Sequence, residues 1–292
     1  MFELIQVTDT VYYIQSPAKI GLVLTGDGEV CLIDSGNDKD AGKKIRKILG
    51  ERGWTLKAIY NTHSHADHIG GNQYLQAQTR CRIYAPDLEC DFIRHPILEP
   101  LGLYGGNPPK DLRHKFLMAR ESQVLSLTKE VLPEGWERIP LPGHSFDMTG
   151  FRVPGDMVFL ADCLSSQATL EKYQIGYLYD VEAYLDTLEK VCSMKAALFI
   201  PSHADPVEDI GPLARRNIEK IHTILQTILG ICSEPKTADQ VLKELFDAFG
   251  LVMNFEQYAL IGSTLRSCLT YLKEKGLAEA FFDRNMLFWK RI

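Results

Sequence analysis

Residues Thr62-His63-Ser64-His65-Ala66-Asp67-His68-Ile69-Gly70-Gly71 place four metal-competent side chains within six positions. His63 and His65, two apart, turn inward together on an extended segment. Asp67 and His68 follow where the loop turns into a helix, so they face a second position. One ion cannot comfortably draw on all four from so tight a turn. Two ions can, and such pairs typically sit ~3.5–4 Å apart. Gly70 and Gly71 let the backbone turn tightly beside them. Three of the 8 histidines in the chain fall here, a density suited to a metal site rather than to scattered surface histidines.

Outward from this loop the chain reads as an α/β protein. The spacing predicts a strand over Leu56–Asn61 that feeds the loop, a helix over Asn72–Gln78 and a strand over Arg82–Tyr84. Strand, ligand-rich loop, helix is where such proteins place their chemistry. Upstream lie strands at Val11–Ile14, Gly21–Thr25 and Val30–Asp34, the last two joined by Gly26-Asp27-Gly28. A helix over Asp38–Leu49 ends near Gly50. Downstream, Glu137–Pro140, Gly150–Val153 and Met157–Ala161 read as strands of a second sheet, followed by a helix at Ala183–Cys192. A buried strand at Ala196–Ile200 and a long helix at Gly211–Leu229 close this part. Three ligand-type residues stand where these strands meet loops: His144, Asp162 and His203. By themselves they read equally as capping or hydrogen-bonded loop residues.

On these residues the sequence resembles the metallo-β-lactamase superfamily, and within it the glyoxalase II-like branch. H-x-H-x-D-H stands intact at 63–68, and Gly143-His144-Ser145, Asp162 and Ser202-His203 follow in the family's order and rough spacing. Leu32-Ile33-Asp34-Ser35-Gly36 is similar to the family's early Asp-containing turn, in which Asp34 supports the ligands from behind. The likeness spans about residues 1–230. It implies an αβ/βα four-layer sandwich, with two sheets face to face and helices outside. It also implies that His63, His65 and His144 hold one metal, that Asp67, His68 and His203 hold the other, and that Asp162 bridges. Asp162 stands where the antibiotic-hydrolysing members place a cysteine, which points away from that activity. One departure is Ala161, which precedes Asp162 where relatives commonly carry glycine.

Two further segments complete the expected organisation of a catalytic domain over 1–230 and an appendage over 231–292. Residues 86–121 read as an insertion of short helices covering the mouth of the site, because Pro96 and Pro100 forbid one long helix. Within it Tyr104, Lys110, Arg113 and His114 are candidates to touch substrate, the basic group by steering an anion. A solvated basic face is the plainer account. From 231 onward, a helix over Thr237–Phe249, one or two helices over Glu256–Lys275, and a hairpin around Asp283-Arg284-Asn285 resemble the winged-helix appendage of the beta-lactamase-like endoribonucleases. Acidic residues interspersed there, such as Glu244, Asp247 and Glu256, favour a structural or dimer-forming role over nucleic-acid binding.

Composition narrows the function. A net charge of −6 gives no prior for nucleic acid, which draws clustered positive charge. The apolar runs are too short to span a bilayer. Seven cysteines without a CxxC pair read as reduced thiols of a cytoplasmic protein, and Cys163, beside Asp162, as a buried, inert one. His95, His114 and His222 lack partner motifs. The expected activity is hydrolysis by two divalent ions, zinc with iron or manganese as alternatives, through a bridging hydroxide that Asp67 orients. The expected substrate is a small ester, thioester or lactone. Cleavage of single-stranded RNA and a non-catalytic metal-binding regulator are the competing readings.

Overall fold

A computed structural model describes residues 2–292. Its first sheet has seven strands in sequence order: β1 (Glu3–Gln6), β2 (Val11–Gln15), β3 (Ile20–Gly26), β4 (Glu29–Ile33), β5 (Thr55–Tyr60), β6 (Arg82–Ala85) and β7 (Leu125–Ser126). The first four pair antiparallel through short turns, and β4 to β7 run parallel. Parallel pairing needs crossovers. These are α1 (Lys39–Arg52), then α2 (Ala66–Ile69) with α3 (Asn72–Thr79), then α4 (Asp87–Arg94) with α5 (Leu98–Tyr104). The second sheet contains β8 (Glu137–Pro140), β9 (Thr149–Val153), β10 (Met157–Phe159) and β11 (Leu198–Ile200), in spatial order β11-β10-β9-β8.

Strand β2 shows why two sheets stack. Val11 and Tyr13 point to one face, Tyr12 and Ile14 to the other, and all four are buried. A strand buried on both faces must have layers on both sides. Val11, Tyr13, Ile33 and Tyr60 meet Phe151, Phe159 and Ile200 of the second sheet in the central core. Gly21 marks the closest approach, since a Cβ there would sit 2.7 Å from the Phe159 ring. Tyr12, Ile14, Leu32 and Ile59 instead pack under Ile45, Leu75, Cys90 and Ile93 of the helices. The outer face of the second sheet is covered by α7 (Val181–Cys192) and α8 (Gly211–Ile231). Helix, sheet, sheet, helix is the expected four-layer sandwich.

The C-terminal elements are α9 (Ala238–Ala248), α10 (Phe255–Glu274) and a hairpin of β12 (Ala278–Asp283) and β13 (Met286–Arg291). Thr237 caps α9 in a full capping box with Gln240. Leu242, Phe246, Leu265 and Leu269 join the same apolar cluster as Val158, Leu188 and Ile224, so this segment and the second sheet share one core. Among the described residues no helix is long and apolar enough to cross a membrane.

The structure differs from the sequence reading in several places. Helix α1 runs on past Gly50 to Arg52, because Gly53 is the residue that takes the left-handed conformation (φ 65°). Strand β10 stops at Phe159, two residues early, because Ala161 has φ 49°. Segment 86–121 is not one excursion: α4 sends Cys90 and Ile93 into the core under the first sheet. Only the part from α5 onward leaves the sheet, and its Leu103, Leu112 and Leu117 dock on Ala259 of α10. Strands β1 and β7 and helix α6 (Gln167–Tyr173) went unread.

Candidate metal centre

The site begins at the C-terminal ends of β4 and β5. Asp34, just past β4, has φ 63° and is buried. Its carboxylate accepts hydrogen bonds from the Thr62 backbone N–H (2.8 Å) and hydroxyl (2.8 Å) and from Asn61 Nδ2 (3.4 Å). Its Oδ2 also lies 2.8 Å from His68 Nδ1. That network fixes proton positions behind the ligands. The single Thr62 hydroxyl proton goes to Asp34, so Thr62 Oγ1 accepts from His63 Nδ1 at 2.9 Å. His68 Nδ1 donates to Asp34, and His203 Nδ1 to the Pro17 carbonyl at 3.0 Å. In each ring Nε2 is thereby the nitrogen turned to the site, free to offer its lone pair once it carries no proton.

The seven predicted residues form two adjoining groups. His63, His65 and His144 offer atoms all within 4.8 Å of one another, and so do Asp67, His68, Asp162 and His203. In the first group, His65 Nδ1 stands 3.0 Å from both His63 Nε2 and His144 Nε2. In the second, Asp162 lies 3.0 Å from both His68 Nε2 and His203 Nε2, and Asp67 Oδ2 lies 3.5 Å from His203 Nε2. Asp162 Oδ2 is also 3.6 Å from His144 Nε2, so this carboxylate touches both groups. His68 Nε2 and Asp162 Oδ1, both buried, lie 3.0 Å apart and have no partner but each other. Buried polar atoms are normally satisfied. A buried pair satisfied only by itself, within two groups of converging imidazole and carboxylate donors, fits a pair of divalent cations.

Electrostatics divide the groups. Burial drives His63 well below the ordinary histidine value, His65 to about 4 and His144 to about 3, so all three stand neutral, the form in which an imidazole can bind a metal. In the second group burial also opposes charge, but the carboxylates outweigh it. Asp162, Asp67 and Asp34 hold His68 well above its usual value, and Asp162 with Asp67 raises His203 to about 10. Against burial, His68 and His203 hold Asp67 down to about 2 and Asp162 well below the usual carboxylate range. Without metal, protons on His68 and His203 offset this negative cluster; a cation takes their place.

Local backbone explains how the ligands get there. Gly70 and Gly71 have φ values ordinary for a helix (−60° and −83°), so the expectation that they serve a tight turn is corrected. They serve close approach: a Cβ on Gly70 would sit 2.3 Å from the Asn37 carbonyl carbon, and one on Gly71 2.4 Å from the Ser35 oxygen. Gly143, before His144, has φ 118° and packs so closely on Tyr184 that no side chain fits. Cys163 is fully buried, its thiol pushed up by burial, as expected of an inert packing residue.

Tyr104, Lys110, Arg113 and His114 make no hydrogen bond or ion pair with the seven. The Tyr104 ring rests 6.0 Å from that of Phe255, and His114 faces Glu256 at 3.6 Å. Neighbouring Lys115 pairs with Asp38 at 3.0 Å. Other residues do adjoin the site. Glu99 of α5 lies 3.6 Å from His65 Nε2, and burial, then Glu89 and Asp67, pushes its carboxyl up to about 8. The Tyr177 ring stands 5.3 Å from His65 and 5.9 Å from His144. Both line a cavity of about 550 Å³ between α5, the start of α7 and α10, walled also by Phe92, Phe146, Tyr179 and Arg266. No local motif in the sequence marks Glu99 or Tyr177.

The profile of the Metallo-beta-lactamase superfamily matches residues 17–203, a span that holds Asp34 and all seven converging side chains. The chain belongs to the metallo-beta-lactamase superfamily. As a member of it, the protein is a metal-dependent hydrolase. A relative named probable metallo-hydrolase YflN, from Bacillus subtilis, is 26% identical over 236 residues, covering 70% of this chain and 86% of that one. A hydroxyacylglutathione hydrolase of Cereibacter sphaeroides is 28% identical over 180 residues. That match covers 61% of this chain and only 58% of the relative's length. The chain is similar in fold, C-terminal elements included, to a beta-lactamase domain protein of Burkholderia ambifaria. Its structure covers 99% of this chain and 94% of its own with a TM-score of 0.76 at 16% identity.

Proposed function

We propose that the protein hydrolyses a small ester, thioester or lactone, using two divalent ions held by His63, His65, His144, Asp67, His68, His203 and Asp162. The observation that carries the substrate class is the cavity beside His65. Its volume, about 550 Å³, lies in the range of small-molecule sites. Its charged lining is Asp180, Glu182 and Glu274 against Arg266 alone, with the Glu99 carboxyl held protonated at neutral pH by burial. A surplus of carboxylates repels a phosphate backbone, and the aromatic wall suits an apolar acyl or leaving group.

The ions, when bound, bring the pKa of a water close to neutrality and offset negative charge developing on the attacked oxygen. Imidazole and carboxylate ligands without thiolate suit zinc, with iron or manganese as alternatives. The chain's own groups do the rest. Asp67 has the most open side chain of the seven, 38% exposed; with Oδ2 turned toward His68 and His203, its Oδ1 is the oxygen left to orient the attacking water and receive its proton. Tyr177, whose phenol burial holds above its ordinary value, keeps its proton and offers a hydrogen bond to substrate in the cavity. The aromatic rings exclude water from the leaving-group side.

Metal-reconstituted protein assayed against esters, thioesters, lactones and single-stranded RNA tests the reading. The expected result is turnover of at least one small acyl class, with RNA neither cut nor bound with a steep salt dependence. RNA cleavage, favoured by the likeness of residues 231–292 to an endoribonuclease appendage, overturns it. So does full metal loading without turnover of any class, which indicates a regulator.

A further inference from the structure

The carboxylate of Glu89, in the first turn of α4, is fully buried yet has no cationic partner. Four neutral donors surround it. Oε2 accepts from the Ser64 backbone N–H (3.0 Å) and hydroxyl (2.6 Å), and Oε1 from the Ser145 hydroxyl (2.6 Å) and the Asp147 backbone N–H (3.0 Å). Ser64 lies between His63 and His65, and Ser145 follows His144. One carboxylate thus ties together the two loops, some eighty residues apart, that carry all three histidines of the first group. None of its bonds reaches the second group, whose His68 hangs from Asp34 instead.

From this we infer that Glu89 is the positioning residue of the His63/His65/His144 metal site, whereas Asp34 holds His68 directly and reaches the first group only at His63, through Thr62. The inference rests on the two-metal reading above. Its physical basis is the donor count. A carboxylate has about four acceptor positions, and Glu89 fills four with donors. Glutamine has the same shape but turns one arm into an NH₂ donor. A serine hydroxyl can reverse to meet it; the backbone N–H of Ser64 or Asp147 cannot. Whichever way the amide lies, one ligand loop faces donor against donor and moves away.

The test is metal binding by Glu89→Gln, measured by titration of the metal-free protein with Zn²⁺ and, separately, Co²⁺ with its visible spectrum. Wild type is expected to bind two ions. E89Q is expected to bind one with wild-type affinity and the other about 10–100-fold more weakly, the usual cost of losing an outer hydrogen bond to a ligand. Asp34→Asn, which disturbs His68 directly and His63 through Thr62, is expected to weaken both ions. Should E89Q fold poorly, Ser145→Ala removes one hydroxyl bond and is expected to weaken the same ion about 5-fold. Two ions bound by E89Q with unchanged affinity overturn the assignment alone. Equal weakening of both ions overturns it too, as a general structural role would produce. Wild type that binds no pair overturns the two-metal reading itself.

Discussion

Ala161 holds its backbone at φ 49°, one residue before the carboxylate that both metal groups share. The left-handed region costs an alanine roughly 1–2 kcal/mol, and the greater freedom of unfolded glycine cancels ~0.4–1 kcal/mol of any gain from replacing it. Ala161→Gly is therefore expected to stabilise the metal-free protein by roughly 0.5–1 kcal/mol in urea unfolding. Thr62 is the other informative single residue, since its hydroxyl orients His63 and is itself held by Asp34. Thr62→Val keeps the shape and deletes both bonds. It is expected to weaken metal binding about 10–100-fold, read by competition with a chelator. Of the seven candidate ligands, the four at 63–68 were legible from their density alone, whereas His144, Asp162 and His203 were legible only through the family resemblance, since strand-end residues of these types read equally as caps. Glu89 and Glu99 were legible by neither route. An acid on a short helix looks the same in sequence whether water or a serine pair surrounds it, and only tertiary packing buries it.

At the scale of elements, the ligand loop is held by contact rather than by turn conformation. Gly70→Ala forces a methyl group into the Asn37 backbone, which cannot yield as a side chain could. Overpacking of this kind typically costs ~1–3 kcal/mol or more. The variant is expected to show a lower melting temperature and weaker binding of the ion at His68. Strands and long helices were readable from periodicity, and the Thr237 cap from its residue type. Segment 86–121 was misread as a unit because α4 and α5 look alike in sequence, while one lies under the first sheet and the other docks on α10. The partner that decides this is more than a hundred residues away.

For the whole molecule, opposite pKa shifts set a pH optimum for the metal-free fold. His203, raised to about 10, and His68 favour folding below the ordinary histidine value of 6.5 and lose that contribution as pH rises. His65 and His144, lowered to about 4 and 3, favour folding above 6.5 and lose theirs as pH falls. The melting temperature of metal-free protein is expected to peak near pH 6.5. Bound metal replaces the protons on His68 and His203, so the decline above that pH is expected to vanish and metal uptake to release protons, measurable by calorimetry in buffers of different ionisation enthalpy. The shared core of α8, α9 and α10 has a separate consequence. The catalyst is encoded before residue 204 and one wall of the cavity by α10, through Ser263, Arg266 and Thr270. With the substrate seated in that cavity as proposed, selectivity is expected to be retuned by editing one face of a distant helix, with the candidate ligands left as they are.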